Sequence, residues 1–250
     1  MPTPVLAAAP PLPLTGERTV PHVAVENYWF QRHVAAYNLA AARVADNDVV
    51  DAGSGEGYGT AILARAARNV IGIEIVATVA EHARRTYRDQ RFMAADVCDT
   101  GLPGGSVDTV VSLQVIEHLP DSSRFLTEAR RILCPHGELI IATPNLLTFT
   151  PDSAEPANLF HVQEFTAAEL VARLRTSAQF RVVRMLGLHH GPRLRRTERL
   201  TGCPFTDLVL TPSQEWQPWL HTMVRRLTPR DFYWSDRHID TSLDLLAIAR

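Results

Sequence analysis

Four glycines spaced two apart, Gly53, Gly55, Gly57 and Gly59, follow the apolar pair Val49-Val50 and the acid Asp51, and a helical pattern begins at Tyr58. Glycine has no Cβ and accepts positive φ, so such a turn lets backbone come close to a ligand. No Lys-Ser or Lys-Thr follows the glycines, which excludes a phosphate-binding P-loop. The third glycine of the dinucleotide pattern falls at the wrong offset, and Glu56 inside the turn would repel a pyrophosphate. The ligand these residues describe is a nucleoside without phosphates that carries an amine or another positive charge. Two further acids fit it. Glu74 lies 21 residues after Gly53, where a carboxylate can accept from both ribose hydroxyls. Asp96 ends the next strand and can meet the exocyclic amine of adenine, while Asp51 at the mouth of the turn can accept from an ammonium. Any one of these could be a strand-end acid held by solvent or a turn. Three at one sheet edge, with the glycine turn among them, favour the ligand.

A second set of residues has acid-base or metal-binding chemistry. Glu117 and His118 follow an apolar strand, and an imidazole near neutral pKa suits general-base work on a hydroxyl. The plainer reading is that His118 caps the next helix or donates to a carbonyl. His161, between Phe160 and Glu164, can reach into a site or simply be satisfied by Glu164. His189 and His190 are adjacent on a strand and so point to opposite faces, which argues against a shared ion. Arg193, Arg195 and Arg196 can pair bidentately with a carboxylate, although an arginine run is commonly solvated surface. Cysteines 98, 134 and 203 are odd in number and unpatterned, so neither a disulfide framework nor a zinc site follows, and the expected compartment is the cytoplasm. The charge balance of 25 basic against 27 acidic residues gives no basic face for nucleic acid. No stretch is long and apolar enough to span a bilayer.

These residues need a scaffold that brings strand ends to one edge. The pattern predicts a helix over 26–45, then strand and helix in alternation. The strands are expected at 48–52, 69–74, 91–96, 107–113 and 138–143, and helices at 58–67, 76–87 and 122–133. A helix over 167–175, a strand over 180–187 and a last apolar strand over 242–249 complete the set. Strands apolar on both faces, alternating with helices, make an α/β sheet covered on two sides. Ligands then bind at the strand C-terminal ends. The expected organisation is a loose N-terminal tail (1–25), a core of 26–190 plus 241–250, and an inserted cap (191–240). The long connection 145–162 and the proline-punctuated insert are read as substrate-side elements.

As a set, the motifs resemble the class I S-adenosylmethionine-dependent methyltransferases of the small-molecule type. Val50 to Gly57 matches the family's nucleotide loop, Gly72-Ile73-Glu74 its ribose acid (usually Asp), and Ala95-Asp96-Val97 its adenine segment. Val111 to His118 matches the fourth-strand motif, and Arg130-Ile132-Leu133 with Pro135-Gly137 the helix and turn before strand five. The resemblance implies a Rossmann-like, seven-stranded, mostly parallel sheet with an antiparallel last strand, an N-terminal helical cap and a small insert before the last strand. It implies Ile75, Val97 and Gln114 as further cofactor contacts, Tyr28 and His33 at the methionyl carboxylate, and Trp29 as a wall of the acceptor site. A closer similarity, carried by Thr15-Gly16-Glu17-Arg18, Glu26 to Phe30, Phe160-His161, His190 to Arg193 and Ser242 to Leu245, is to actinobacterial sugar O-methyltransferases of methylglucose lipopolysaccharide synthesis. It implies a glucosylglycerate-type acceptor, Mg²⁺, His118, Glu117 and His161 as catalytic residues, and Asn145, His161, His190 and Arg193 on the acceptor. Gln114 to His118 also resembles the Glu-x-x-Glu-His motif of quinone O-methyltransferases, with Gln114 for the first Glu and Glu117 and His118 as metal ligands. The expected protein is a cytoplasmic O-methyltransferase of a small saccharide, with a homodimer compatible. An aromatic O-methyltransferase and a non-catalytic adenosine-binding module are the rivals.

Overall fold

A computed structural model describes residues 12, 18–151, 156 and 158–250. The Thr15 to Glu17 part of the N-terminal motif, and most of the expected tail, lie outside the described residues. Residues 18–25 carry turns, and Thr19 and Val20 are buried.

The chain runs α1 (Asn27–Ala41), β1 (Asp48–Ala52), α2 (Tyr58–Leu63), β2 (Asn69–Glu74), α3 (Ala77–Thr86), β3 (Arg91–Ala94) and β4 (Val107–Leu113). It continues through α4 (Ser122–Ile132), β5 (Leu133–Pro144), α5 (Leu146–Phe149), α6 (Ala167–Ala178) and β6 (Val182–His190). The insert holds α7 (Pro192–Thr201), α8 (Phe205–Leu210), α9 (Pro218–Arg225) and β7 (Phe232–Ser235), and β8 (Asp244–Ala249) ends the chain. The sheet order is β3-β2-β1-β4-β5-β8-β6-β7. β1 to β5 pair in parallel, and β8 lies antiparallel between β5 and β6.

This is the Rossmann-like architecture expected, with an eighth strand. β7, inside the insert, pairs antiparallel with β6 from Gly187–Ser235 to His190–Phe232. Its four residues carry too little alternation to announce a strand, and β6 supplies the ladder that makes it one. β6 itself extends to His190 for the same reason.

Local signals set the helix starts. Asp121 accepts from the Arg124 N–H at the head of α4, and Thr166 and Glu169 form a capping box on α6. α2 has no side-chain cap and starts instead from Gly57 at φ +94°. The faces of the sheet bury separate clusters. Phe125, Leu126, Ala129 and Ile132 of α4 with Leu170 and Leu174 of α6 cover one, and Ala36, Tyr37 and Ala40 of α1 with Leu63 of α2 cover the other. The insert has its own apolar core, where Phe205, Val209, Trp216, Leu220, Val224 and Phe232 pack on Tyr28 of α1 and Leu188 of β6. The insert therefore sits against the helix that lines the site. Among the described residues, no helix is long and apolar enough to cross a membrane.

Candidate active site

The glycine turn is locked onto β2. The Gly53 and Ser54 N–H groups both donate to the Ile73 carbonyl, at 2.9 Å each. Glu74 closes the clamp by accepting from Gly55 N–H (3.1 Å) and Val76 N–H (2.9 Å). Each carboxylate oxygen keeps acceptor capacity for a further donor. Gly53, at φ +82°, has no room for a Cβ, which would collide with Val115 Cγ2. Gly55, at φ +51°, opens onto empty space. That hollow beside Glu74 is where a ligand can lie against backbone. Ile75 is two-thirds exposed at the same edge, at 67 %, an apolar surface for a base. Asp96 Oδ1 accepts from Cys98 N–H (2.8 Å), which holds its turn, and Val97 is buried beside it. Gly57 packs on Phe92 and Tyr87.

Asp51 is fully buried and turned inward. Its oxygens accept from Tyr37 (3.1 Å) and Thr60 (2.7 Å) hydroxyls, and burial pushes its pKa up to about 6. Here it ties α1 and α2 to β1.

A cavity of about 380 Å³ lies beyond the ends of β4 and β5, between them and α1. Gln114 enters its wall because the chain leaves β4 at φ +59°, an uncommon conformation for a non-glycine residue. Beyond it, Ile116–His118 forms a single 3-10 turn. The segment after α5 is laced onto that turn. Val162 N–H donates to the Glu117 carbonyl (2.8 Å), and the Gln163 amide donates to the carbonyls of Ile116 (3.2 Å) and Leu119 (2.9 Å). This lacing brings His161 to His118, with ring centres 4.9 Å apart.

Ligand atoms of Glu117, His118 and His161 all lie within 4.8 Å of one another. The Phe160 carbonyl lies 2.9 Å from His118 Nδ1. A carbonyl can only accept, so this contact assigns the proton to Nδ1 and makes Nε2 the basic nitrogen. His161 Nδ1 faces Glu164 at 2.8 Å, with both side chains buried, so its Nε2 is likewise the outward nitrogen. Glu117 is wholly buried. Thr143 donates to one oxygen (3.1 Å), the other finds no partner among the described residues, and burial raises the pKa to about 8.

α1 supplies the facing wall through Trp29, Arg32 and His33. Arg32 forms a buried two-pronged ion pair with Asp244 of β8, Nε to Oδ2 at 3.1 Å and Nη2 to Oδ1. Its guanidinium carbon lies 5.0 Å from the Trp29 ring centre. His33 Nδ1 meets the Tyr58 hydroxyl at 2.9 Å. No feature of the sequence announced the Arg32–Asp244 pair, whose members stand 212 positions apart.

Other residues expected near ligands are placed elsewhere. Tyr28 is buried with its hydroxyl 2.7 Å from His190 Nε2, and His190 Nδ1 lies 2.7 Å from Glu198, so this relay joins α1 to the insert. Asn145 is buried and spends its amide on the Ile239 and Ser242 carbonyls. Arg193 reaches the Arg226 carbonyl (3.3 Å) and Asp231 (3.5 Å). None of Tyr28, Asn145, His190 and Arg193 lines the cavity. Trp29, His33, Gln114, Glu117, His118 and His161 do.

Residues 50–141 match the model of the family described as a methyltransferase domain. A Mycobacterium tuberculosis protein described as a probable S-adenosylmethionine-dependent methyltransferase is 43% identical over 245 residues, covering 95% of this chain and 89% of that protein. A Mycolicibacterium smegmatis protein of the same description is 41% identical over 244 residues, covering 95% of each. Among solved structures, an S-adenosylmethionine-dependent methyltransferase from Archaeoglobus fulgidus superposes with a TM-score of 0.57 at 16% identity, covering 88% of this chain and 93% of that one.

Proposed function

The chain belongs to the class I S-adenosylmethionine-dependent methyltransferases, and from that premise we propose that it methylates a hydroxyl of a small saccharide or glycoside. His118 is the observation that carries this reading. Its Nδ1–H is committed to the Phe160 carbonyl, its basic Nε2 belongs to a group lining the cavity, and an alkyl hydroxyl is a poor nucleophile that benefits from such a base.

The residues present fit the cofactor. The empty space over Gly55, the acceptor capacity left on Glu74 and the exposed Ile75 form a cradle for a ribose and a base. When bound there, S-adenosylmethionine supplies an electrophilic methyl group. His118 Nε2 takes the acceptor's hydroxyl proton as the oxygen attacks. His161, steadied by Glu164, orients the hydroxyl beside it. Trp29 and Gln114 wall the cavity and limit water. Asp51 acts at one remove by tying α1 and α2 to the strand that leads into the turn.

Glu117, His118 and His161 do not fit Mg²⁺, which demands an oxygen shell. One carboxylate with two imidazoles suits Zn²⁺ better, and because each Nδ1 is already committed, such an ion would take the Nε2 of His118 and compete with its use as the base. The oxygen of Glu117 left without a partner supports such a ligand set, and Glu164 behind His161 orients the ring as carboxylates behind metal-bound histidines do.

The test is methyl transfer to a panel of sugars, glycosides and phenols, read as the mass gain of one methyl group. Sugars or glycosides should be methylated. His118→Ala should lose at least about tenfold in kcat, with cofactor binding by calorimetry retained. Transfer to phenols alone, or full turnover by the variant, overturns the reading.

A further inference from the structure

The cavity holds a pair of opposite charges that no step of the reaction uses. Arg32 of α1 and Asp244 of β8 both line it, each less than a tenth exposed. A buried ion pair is weak evidence for stability, because apolar side chains of similar volume hold a fold as well or better. Its hydrogen bonds are also incomplete. Asp244 accepts from Nε and Nη2 of Arg32, one on each carboxylate oxygen, while Nη1 is buried without a partner among the described residues. Tyr28, whose ring flanks the guanidinium, turns its hydroxyl to His190 instead. An orphaned buried donor is costly, and more so on a charged group. Each Asp244 oxygen keeps acceptor capacity. The pair therefore offers an unspent donor close to unspent acceptors, on side chains that α1 and the sheet hold in place.

We infer that Arg32 and Asp244 recognise an uncharged polyol segment of the acceptor, one hydroxyl accepting from Arg32 Nη1 and a neighbouring hydroxyl donating to Asp244. This rests on the glycoside reading above and assigns the residues that choose among glycosides. Charge decides the chemistry of the occupant. A carboxylate on Nη1 would lie close to Asp244, and an ammonium on Asp244 close to Arg32, so either meets repulsion in a buried site. A hydroxyl both donates and accepts, so two of them match the pair without adding charge. The remaining Arg, Asp and Glu side chains of the lining, Arg18, Glu26 and Glu117, leave no cationic excess to draw an acid. Trp29 and Phe149 line the same cavity with ring centres 6.4 Å apart, an apolar wall for the C–H face of the ring that bears the hydroxyls.

The experiment measures by calorimetry the binding of methyl glucoside, each of its monodeoxy derivatives and methyl glucuronide to protein loaded with S-adenosylhomocysteine. Wild type is compared with Arg32→Met/Asp244→Leu, whose thermal unfolding and affinity for S-adenosylhomocysteine report that it folds. Should it not fold, Arg32→Lys, which keeps a charge opposite Asp244 and removes the Nη1 donor, serves for the same comparison. In the wild type, loss of either of two neighbouring hydroxyls should weaken binding at least about tenfold, as expected for a hydrogen bond to a charged group. Methyl glucuronide should bind no tighter than methyl glucoside. The variant should bind methyl glucoside at least about tenfold more weakly and lose its sensitivity to those two positions, which a merely structural role would not produce. No such pair of hydroxyls in the wild type, a sensitivity that survives in the variant, or tighter binding of the glucuronide overturns the inference and leaves the glycoside reading standing. Failure of the wild type to bind or methylate any of these glycosides overturns both.

Discussion

Replacing Asp244 by Asn isolates one buried charge. In the wild-type protein Arg32 and Asp244 are each about 4% exposed at the side chain. Arg32 Nη1 already lacks a partner among the described residues, and the guanidinium is flanked by the rings of Tyr28 and Trp29. The amide keeps the shape of the carboxylate and leaves the β8 ladder intact, but it removes the counter-charge paired with Arg32 among the described residues. Breaking a buried pair by removing one partner costs about 3–5 kcal/mol. For a chain of this size each kcal/mol lowers Tm by roughly 2–4 °C, so a fall of about 10 °C is expected. Urea unfolding followed by circular dichroism measures the cost directly, provided the m-value is unchanged. Arg32→Met/Asp244→Leu, which removes both charges at similar volume, should recover most of the loss. A cost for Asp244→Asn below about 1 kcal/mol would refute the reasoning, because it would show that water hydrates the guanidinium through the cavity as well as a carboxylate does.

Three further outcomes are expected. Burial raises the Asp51 pKa to about 6, so the folded state binds more protons than the unfolded state between about pH 4 and pH 6. Stability from this group therefore falls as pH rises through that window. Above it the ionised acid costs about 3 kcal/mol, and Asp51→Asn should gain that much on the wild type between about pH 4 and pH 8 in urea titrations. Gly55→Ala, whose Cβ enters open space, should lose only about 1–2 kcal/mol of stability yet weaken S-adenosylmethionine binding at least about tenfold by calorimetry. Gly53→Ala should lose more stability, because its Cβ collides with Val115. For the ligand set, Zn²⁺ should raise the Tm of chelator-treated protein and inhibit methyl transfer, Mg²⁺ should do neither, and His161→Ala should abolish the Zn²⁺ shift.

The layout of the candidate cofactor edge was legible because it is local. Gly53 to Gly59, Glu74 and Asp96 are fixed by strand ends and one turn, and parallel pairing brings strand ends to one edge, whereas Asp51, expected to face an ammonium, turns inward to Tyr37 and Thr60. The contact between His161 and Glu164 was legible for the same reason, since three positions separate them. The cavity is assembled from distant pieces. β8 inserts between β5 and β6 to set Asp244 against Arg32, and α8 comes from an insert whose α7 buries only Leu194, too weak a stripe to announce itself. Tyr28, Asn145 and His190 have residue types suited to ligands, but each spends its polar atoms inside the protein. Residue type at a sheet edge gives the chemistry a side chain can do, and packing decides whether it meets a ligand.

The lacing of residues 160–163 onto Glu117 and His118 gives one short segment two duties. Phe160 holds His118 in its tautomer through its carbonyl and also lines the cavity. A change in this segment thus alters the cavity lining and the support of His118 together. Leu210 of the insert lines the same cavity, and its side chain has no such hydrogen bond to make, so a change there alters the lining alone.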